Sequence, residues 1–215
     1  MPSLPPSATV YISDHDDATH EWIAQIVRGL GCQAAACSEP EALLTARPVN
    51  RPSCLVLEIA APEMGGVAVF DRLRRIVAAA PPVIVHSSRS DVPTVVQAMR
   101  CGVSDYLEKP CQADVLAQSI RRAVEIDLTK RERVEDLLDT RQRLDSLTAE
   151  QRTVLDLLLQ GRTNKQIASQ IGASVRTAQF RRADIMKKLE VDSLAQLVRK
   201  VARIERETDS DGPWR

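Results

Sequence analysis

Between residues 8 and 127, short apolar runs alternate with stretches in which apolar side chains recur every three or four positions. The runs are TVYIS, CQAAA, CLVLE, PVIVHS and SDYLEK. Between them Ile23, Ile26, Val27 and Leu30, and later Phe70, Leu73, Ile76 and Val77, keep helical spacing. Gly31 and Gly102 stand where helix C-termini take a left-handed residue. A strand and a helix repeated five times predict an α/β fold, a doubly wound five-stranded parallel sheet with helices on both faces. Such a sheet places its site at the carboxyl ends of its strands.

The pattern then changes. From Asp114 to Leu147 there is no proline or glycine, and Leu116, Ile120, Val124, Val134, Leu138 and Leu144 mark one long helix. Residues 129–146 hold 5 basic and 5 acidic side chains. That balance suits either a short coiled coil between two chains, its heptad broken at Arg131 and Arg141, or a linker helix that packs within its own chain. Beyond it, three capping boxes (Thr148 to Gln151, Thr163 to Gln166, Ser193 to Gln196), a further cap at Ser174 and a stop at Gly161 predict four short helices forming an all-α helix-turn-helix unit. The third, about Val175 to Leu189, carries Arg176, Gln179, Arg181, Arg182 and Lys187 on its polar surface, while Ala178, Ile185, Met186 and Leu189 face the core. The expected organisation is an α/β domain over 1–127, a linker helix over 128–146, the helical domain over 147–205 and a disordered tail over 206–215. The first seven residues, with Pro2, Pro5 and Pro6, are also expected to be disordered.

Charge separates the two domains. The chain of 215 residues has 29 Lys+Arg against 29 Asp+Glu. Residues 1–128 nevertheless hold 11 basic and 15 acidic side chains, and residues 147–204 hold 11 basic and 5 acidic. The helical domain is therefore the part suited to a polyanion. Cys32, Cys37, Cys54, Cys101 and Cys111 form no CxxC pair, and no leader or membrane-length apolar run is present, so a cytoplasmic chain with reduced thiols and no membrane partner is expected.

Three strand ends carry chemistry. Asp14, His15, Asp16 and Asp17 follow the first, and Ser87 and Ser88 follow the fourth. In LVLEIAAPEMGG, residues 55–66, the third strand ends at Glu58 and turns through Pro62 and two glycines. The fifth ends in EKP, offering Lys109. VYISDHDD, LVLEIAAPEMGG, PVIVHSSRSDVP and GVSDYLEKP together resemble the receiver domain of two-component response regulators, a flavodoxin-like fold. The resemblance implies an aspartate phosphoryl acceptor at position 58, Mg²⁺-binding acids at 14 and 15, a phosphate contact at Ser87, an ion pair from Lys109, a switch aromatic at Tyr106, and a cis bond before Pro110.

Two parts depart from that pattern. Glu58 extends the carboxylate by about 1.5 Å, and His15 gives nitrogen where hard Mg²⁺ takes oxygen. No cofactor, no metal and no catalytic residue are therefore assigned. Asp14, His15, Asp16, Glu58, Ser87, Tyr106 and Lys109 form a pseudo-active site. Two readings stand: Glu58 imitates the phosphorylated state beside Ser87 and Lys109, or it pairs with Lys109 in a domain kept for dimerisation or protein interaction. Cys111 and Cys101 admit a thiol switch or an inert buried role, and His86 is read as a strand residue near the site.

The helical block, with LT, NKQIA, RT and IMKKL among its matches, resembles the LuxR-type DNA-binding domain. Its pairing with a receiver resembles FixJ/NarL-type response regulators. Where that family often has TVExHR, this chain has TAQFRR. The implied function is transcription regulation, not enzymatic turnover. The implied partners are a double-stranded DNA operator, a second copy joined through receiver and linker helix, and a sensor kinase or other regulator. Thr163, Asn164, Lys165, Arg176, Thr177 and Arg182 are assigned to backbone contacts. Gln179, Phe180, Arg181 and Ala183 are assigned to base edges, and Lys187 extends the basic surface.

Overall fold

The computed structural model describes residues 4–5, 7–39, 51–59, 66–79 and 81–210, and the chain divides into two compact units, Met1–Glu132 and Arg133–Arg215. In the first, strands β1 (Thr9–Ser13), β2 (Gln33–Ala36), β3 (Ser53–Leu57), β4 (Val83–Ser87) and β5 (Asp105–Glu108) form one parallel sheet in the order β2-β1-β3-β4-β5. This is the flavodoxin-like order, with its switch point between β1 and β3.

Every residue of β3 and β4 is buried, as expected for central parallel strands covered on both faces. Alternation along β3 divides the core. Cys54 and Val56 face the cluster containing Ile23 and Val27 of helix α1 (Asp17–Gly29) and Leu116, Ile120 and Val124 of α4 (Ala113–Asp145). Leu55 and Leu57 face the cluster containing Leu73 and Ile76 of α2 (Gly66–Ala79) and Ala98 of α3 (Val92–Arg100). Gly31 and Gly102 take φ of +76° and +90° after α1 and α3, a conformation that suits glycine. At the other end of the sheet from the site, the fully buried Asp127 carboxylate accepts from the Ser53 amide at 2.9 Å and from Arg131 Nε at 2.5 Å. Residues 40–50, between β2 and β3, and the turn expected through Pro62 and Gly65 lie outside the described residues, as do residues 1–3 of the N-terminal segment.

The linker expected from residue 128 is part of the one long helix expected from Asp114. It continues the last helix of the α/β unit as α4, unbroken to Asp145 because no glycine or proline interrupts it. In the second unit Leu144 packs on the core of the helical domain, Arg143 donates to the Lys188 carbonyl and pairs with Glu190 at 2.8 Å, and Arg203 pairs with Asp136. Leu144 packs within the chain, whereas Val134 and Leu138 are exposed.

Helices α5 (Ala149–Leu159), α6 (Asn164–Gln170), α7 (Val175–Lys188) and α8 (Leu194–Ser210) enclose Val154, Leu158, Ile167, Ala178, Ile185, Leu189 and Leu197. The boxes at Thr148 and Thr163 are reciprocal. The third differs: Ser193 Oγ accepts from the Gln196 amide, but the Gln196 side chain accepts from Asp192 instead of Ser193. Helix α8 runs to Ser210, past the start of the tail expected from 206, with no helix breaker before Gly212. Residues 211–215 lie outside the described residues.

Candidate functional site

The carboxyl ends of β1, β3, β4 and β5 bring the candidate site together. Glu58 follows β3 and its amide donates to the Ser13 carbonyl, while the Lys109 amide donates to Ser87. Lys109 Nζ donates to Asp14 Oδ2 at 2.7 Å and to Glu58 Oε1 at 2.8 Å. The other Glu58 oxygen accepts from the His15 amide at 3.3 Å. Burial disfavours the Lys109 ammonium, but its bonds to Asp14 and Glu58 outweigh that and hold its pKa above the ordinary lysine value. One cation therefore lies between two carboxylates whose side chains are 2% and 15% exposed.

The remaining sequence-assigned residues take separate roles. His15 contributes its backbone N–H, and the residue is exposed. Asp16 caps α1, accepting from the Thr19 hydroxyl at 2.5 Å and the Thr19 amide at 2.9 Å, and these bonds lower its pKa. Ser87 does not reach Glu58. Its hydroxyl donates to the Ile59 carbonyl and accepts from the Arg89 amide, each at 3.2 Å. The Tyr106 hydroxyl donates to the Arg89 carbonyl and Ser90 donates to Glu108, so the segment after β4 is held from both sides. The Lys109–Pro110 bond is cis.

The donor set does not suit Mg²⁺. The Asp14 and Glu58 carboxylates are held by Lys109, the Asp16 carboxylate caps a helix, and position 15 offers imidazole. Mg²⁺ takes near-octahedral oxygen ligands. Among the described residues no group of three or more His, Cys, Asp or Glu side chains is disposed to hold a metal ion.

The sequence underestimated the neighbourhood of His86. This residue is 2% exposed, its ring stacks on Trp22 with centroids 5.9 Å apart, and its Nε2 lies 3.5 Å from Cys111 Sγ. Burial, with a smaller effect from Lys109, pushes its pKa down. Cys32, Cys37, Cys54 and Cys101 are buried, whereas Cys111 is half-buried. A histidine interrupting the apolar run of β4 was the available signal.

In the helical unit, Ser174 caps α7 by accepting from the Thr177 amide, and Gly172 turns the chain at φ +65° between α6 and α7. Arg176, Gln179, Phe180, Ala183 and Lys187 are exposed along α7, Phe180 at 73%. Lys165 is exposed, and Thr163 caps α6. The Thr177 hydroxyl is bonded to Ser174, and Arg182 lies 3.5 Å from Asn164 Oδ1. Arg181 is half-buried and pairs with Glu150 of α5 at 2.6 Å. Asp184 accepts from Gln151, which in turn accepts from Lys188. Glu150 and Gln151 of α5 thus hold α7 through Arg181, Asp184 and Lys188, a role that helical periodicity alone does not reveal.

A parallel sheet with a lysine–carboxylate site, followed by a capped helix-turn-helix with an exposed basic helix, defines a regulator built from a receiver and a DNA-binding module. The response regulator receiver domain family matches residues 10–121, and the bacterial regulatory proteins, luxR family, match residues 145–201. The chain is 31% identical over 198 residues to the response regulator protein TmoT of Ectopseudomonas mendocina, covering 92% of this chain and 90% of that protein. It is 32% identical over 191 residues to the transcriptional regulatory protein FixJ of Rhizobium meliloti (strain 1021), covering 89% and 93%. The solved structure of response regulator StyR is similar with a TM-score of 0.73 and 29% identity, covering 92% of this chain and 99% of that one. The chain belongs to the FixJ/LuxR-type response regulators, and it is a DNA-binding transcriptional regulator.

Proposed function

We propose that this regulator works without phosphoryl transfer to its receiver, in the cytoplasm, as a homodimer on a DNA operator. The observation that carries the reading is the double pairing of Lys109 with Glu58 and Asp14. The lysine that would neutralise phosphoryl oxygens is already neutralised from within, and an incoming phosphodonor would meet a carboxylate engaged at both oxygens. The absence of a Glu58–Ser87 bond favours a receiver fixed by its own ion pairs over one that reproduces each contact of a phosphorylated site. The restraint of Ser87, Arg89 and Tyr106 supports the same view.

On DNA, Gln179, Phe180 and Ala183 face base edges, Arg176, Lys165 and Lys187 meet phosphates, and Arg181 positions the helix through Glu150. Thr163, Asn164, Thr177 and Arg182 hold the turn against the backbone. The receiver's remaining surface serves dimerisation, docking of a kinase or docking of another regulator. The test is direct: the purified chain is incubated with acetyl phosphate and Mg²⁺, then examined by intact mass and by operator titration. An unchanged mass and an unchanged operator affinity are expected. A phosphoryl group on Glu58, or tighter binding after treatment, overturns the proposal.

A further inference from the structure

Beside the pseudo-active site lies a cavity of about 540 Å³ lined by Trp22, His86, Pro110 and Cys111, with Asp16, Thr19 and Lys109 also on its wall. It holds a pair that no part of the DNA-binding reading uses. Cys111 Sγ lies 3.5 Å from His86 Nε2. The His86 ring is buried at 2% exposure, and its Nδ1 has no hydrogen-bond partner among the described residues. Cys111 is therefore the neighbour that governs which nitrogen carries the proton. Of the five cysteines it alone is not buried.

We propose that this cavity is a reaction site for small, flat α,β-unsaturated carbonyl compounds, which add covalently to Cys111 with His86 as the base. Each wall has a part in that chemistry. Trp22 and Pro110 give apolar surface to a conjugated molecule, and concave apolar cavities with a few polar groups are where small ligands bind. Lys109 spends two N–H bonds on Asp14 and Glu58 among the described residues. The residue also lines the cavity.

The addition balances without an oxidant or reductant. The Cys111 S–H bond breaks, its proton moves to His86 Nε2, and the sulfur forms a bond to the alkene β-carbon. The alkene π electrons move onto the carbonyl as an enolate, and the proton held on His86 is then delivered to the α-carbon. The ring returns to its neutral state and a saturated thioether remains. Burial raises the Cys111 thiol and lowers the His86 imidazole, so the resting pair is neutral and the base acts during the addition, not before it. This inference stands apart from the behaviour of Glu58, since it concerns a different nucleophile.

The full chain is treated with N-ethylmaleimide, and labelling of each cysteine is followed by peptide mass spectrometry from pH 6.8 to 8.2. Base assistance by a neutral imidazole predicts a Cys111 rate that changes by less than about threefold per pH unit in this range, because the base is already unprotonated. Simple thiolate attack instead rises about tenfold per unit. His86→Gln is expected to be at least about tenfold slower at pH 7 and to acquire the steep profile, and Cys111→Ser loses that label. A steep profile in the unsubstituted chain overturns the proposal without relying on the variant's fold, as do equal rates for the parent and a folded His86→Gln protein.

Discussion

Lys109 Nζ lies 2.8 Å from Glu58 Oε1 at the carboxyl edge of the sheet, within the residues that match the receiver family. The glutamate answers to the lysine and to the His15 amide, not to Ser87. With Asp14, the Lys109 and Glu58 side chains form one ion-pair network.

Glu58→Gln keeps the side-chain volume and deletes the charge. If the pair holds the receiver in the DNA-competent arrangement, operator affinity falls by roughly tenfold, within the ordinary range of coupling between sites. Fluorescence anisotropy with a labelled operator measures it, and unchanged affinity confines the pair to a stabilising role.

Gln179 and Arg181 should separate on DNA. Gln179 is exposed on α7, so Gln179→Ala relaxes preference at one base pair by about 1–3 kcal/mol if its contact is bidentate. Arg181 is occupied by Glu150. Arg181→Ala should weaken operator and random DNA by similar factors, and competition titrations against both sequences would show the contrast. A selective loss on the operator for Arg181→Ala would return that arginine to the reading surface.

Lys187 is exposed at the far end of the α7 stripe. Lys187→Ala should reduce the slope of log affinity against log salt by about one unit while leaving sequence preference intact. An unchanged slope between low and moderate salt would mean that this lysine meets no phosphate.

Asp127 is fully buried and held by Ser53 and Arg131. Asp127→Ala leaves the Arg131 guanidinium without this partner and strips the Ser53 amide of its acceptor, a change worth about 3–5 kcal/mol of stability for a broken buried pair. Urea unfolding of the parent and variant tests this, and a loss below about 1 kcal/mol would contradict the assigned role.

Leu138 and Leu144 share one helix but differ in surroundings. Leu138 is 57% exposed, whereas Leu144 packs on the helical core. Leu138→Lys should leave the melting temperature nearly unchanged while lowering self-association in sedimentation, if the exposed stripe meets a second copy. Leu144→Lys should destabilise the helical unit itself. Equal self-association of the Leu138 variant and the parent would remove the linker from the dimer interface.

The amino-acid sequence by itself determined the elements. Alternation and helical period, capping residues such as Thr148 and Thr163, and glycines after helices act through neighbours within a few positions, so they are readable one segment at a time. They also placed Asp14, Glu58, Ser87 and Lys109 at strand ends, which a parallel sheet must gather on one edge. Only the tertiary structure decided what those groups bind. Lys109 and Glu58 are 51 positions apart, His86 and Cys111 are 25 apart, and Asp127 and Ser53 are 74 apart. Their pairing depends on strand order, on side-chain rotamers and on competing partners. Arg181 shows the difference most plainly: its place on the polar surface of the helix was readable in the sequence, whereas its pairing with Glu150 came only from the packing of α5 against α7, because a charge takes the partner that folding brings within reach.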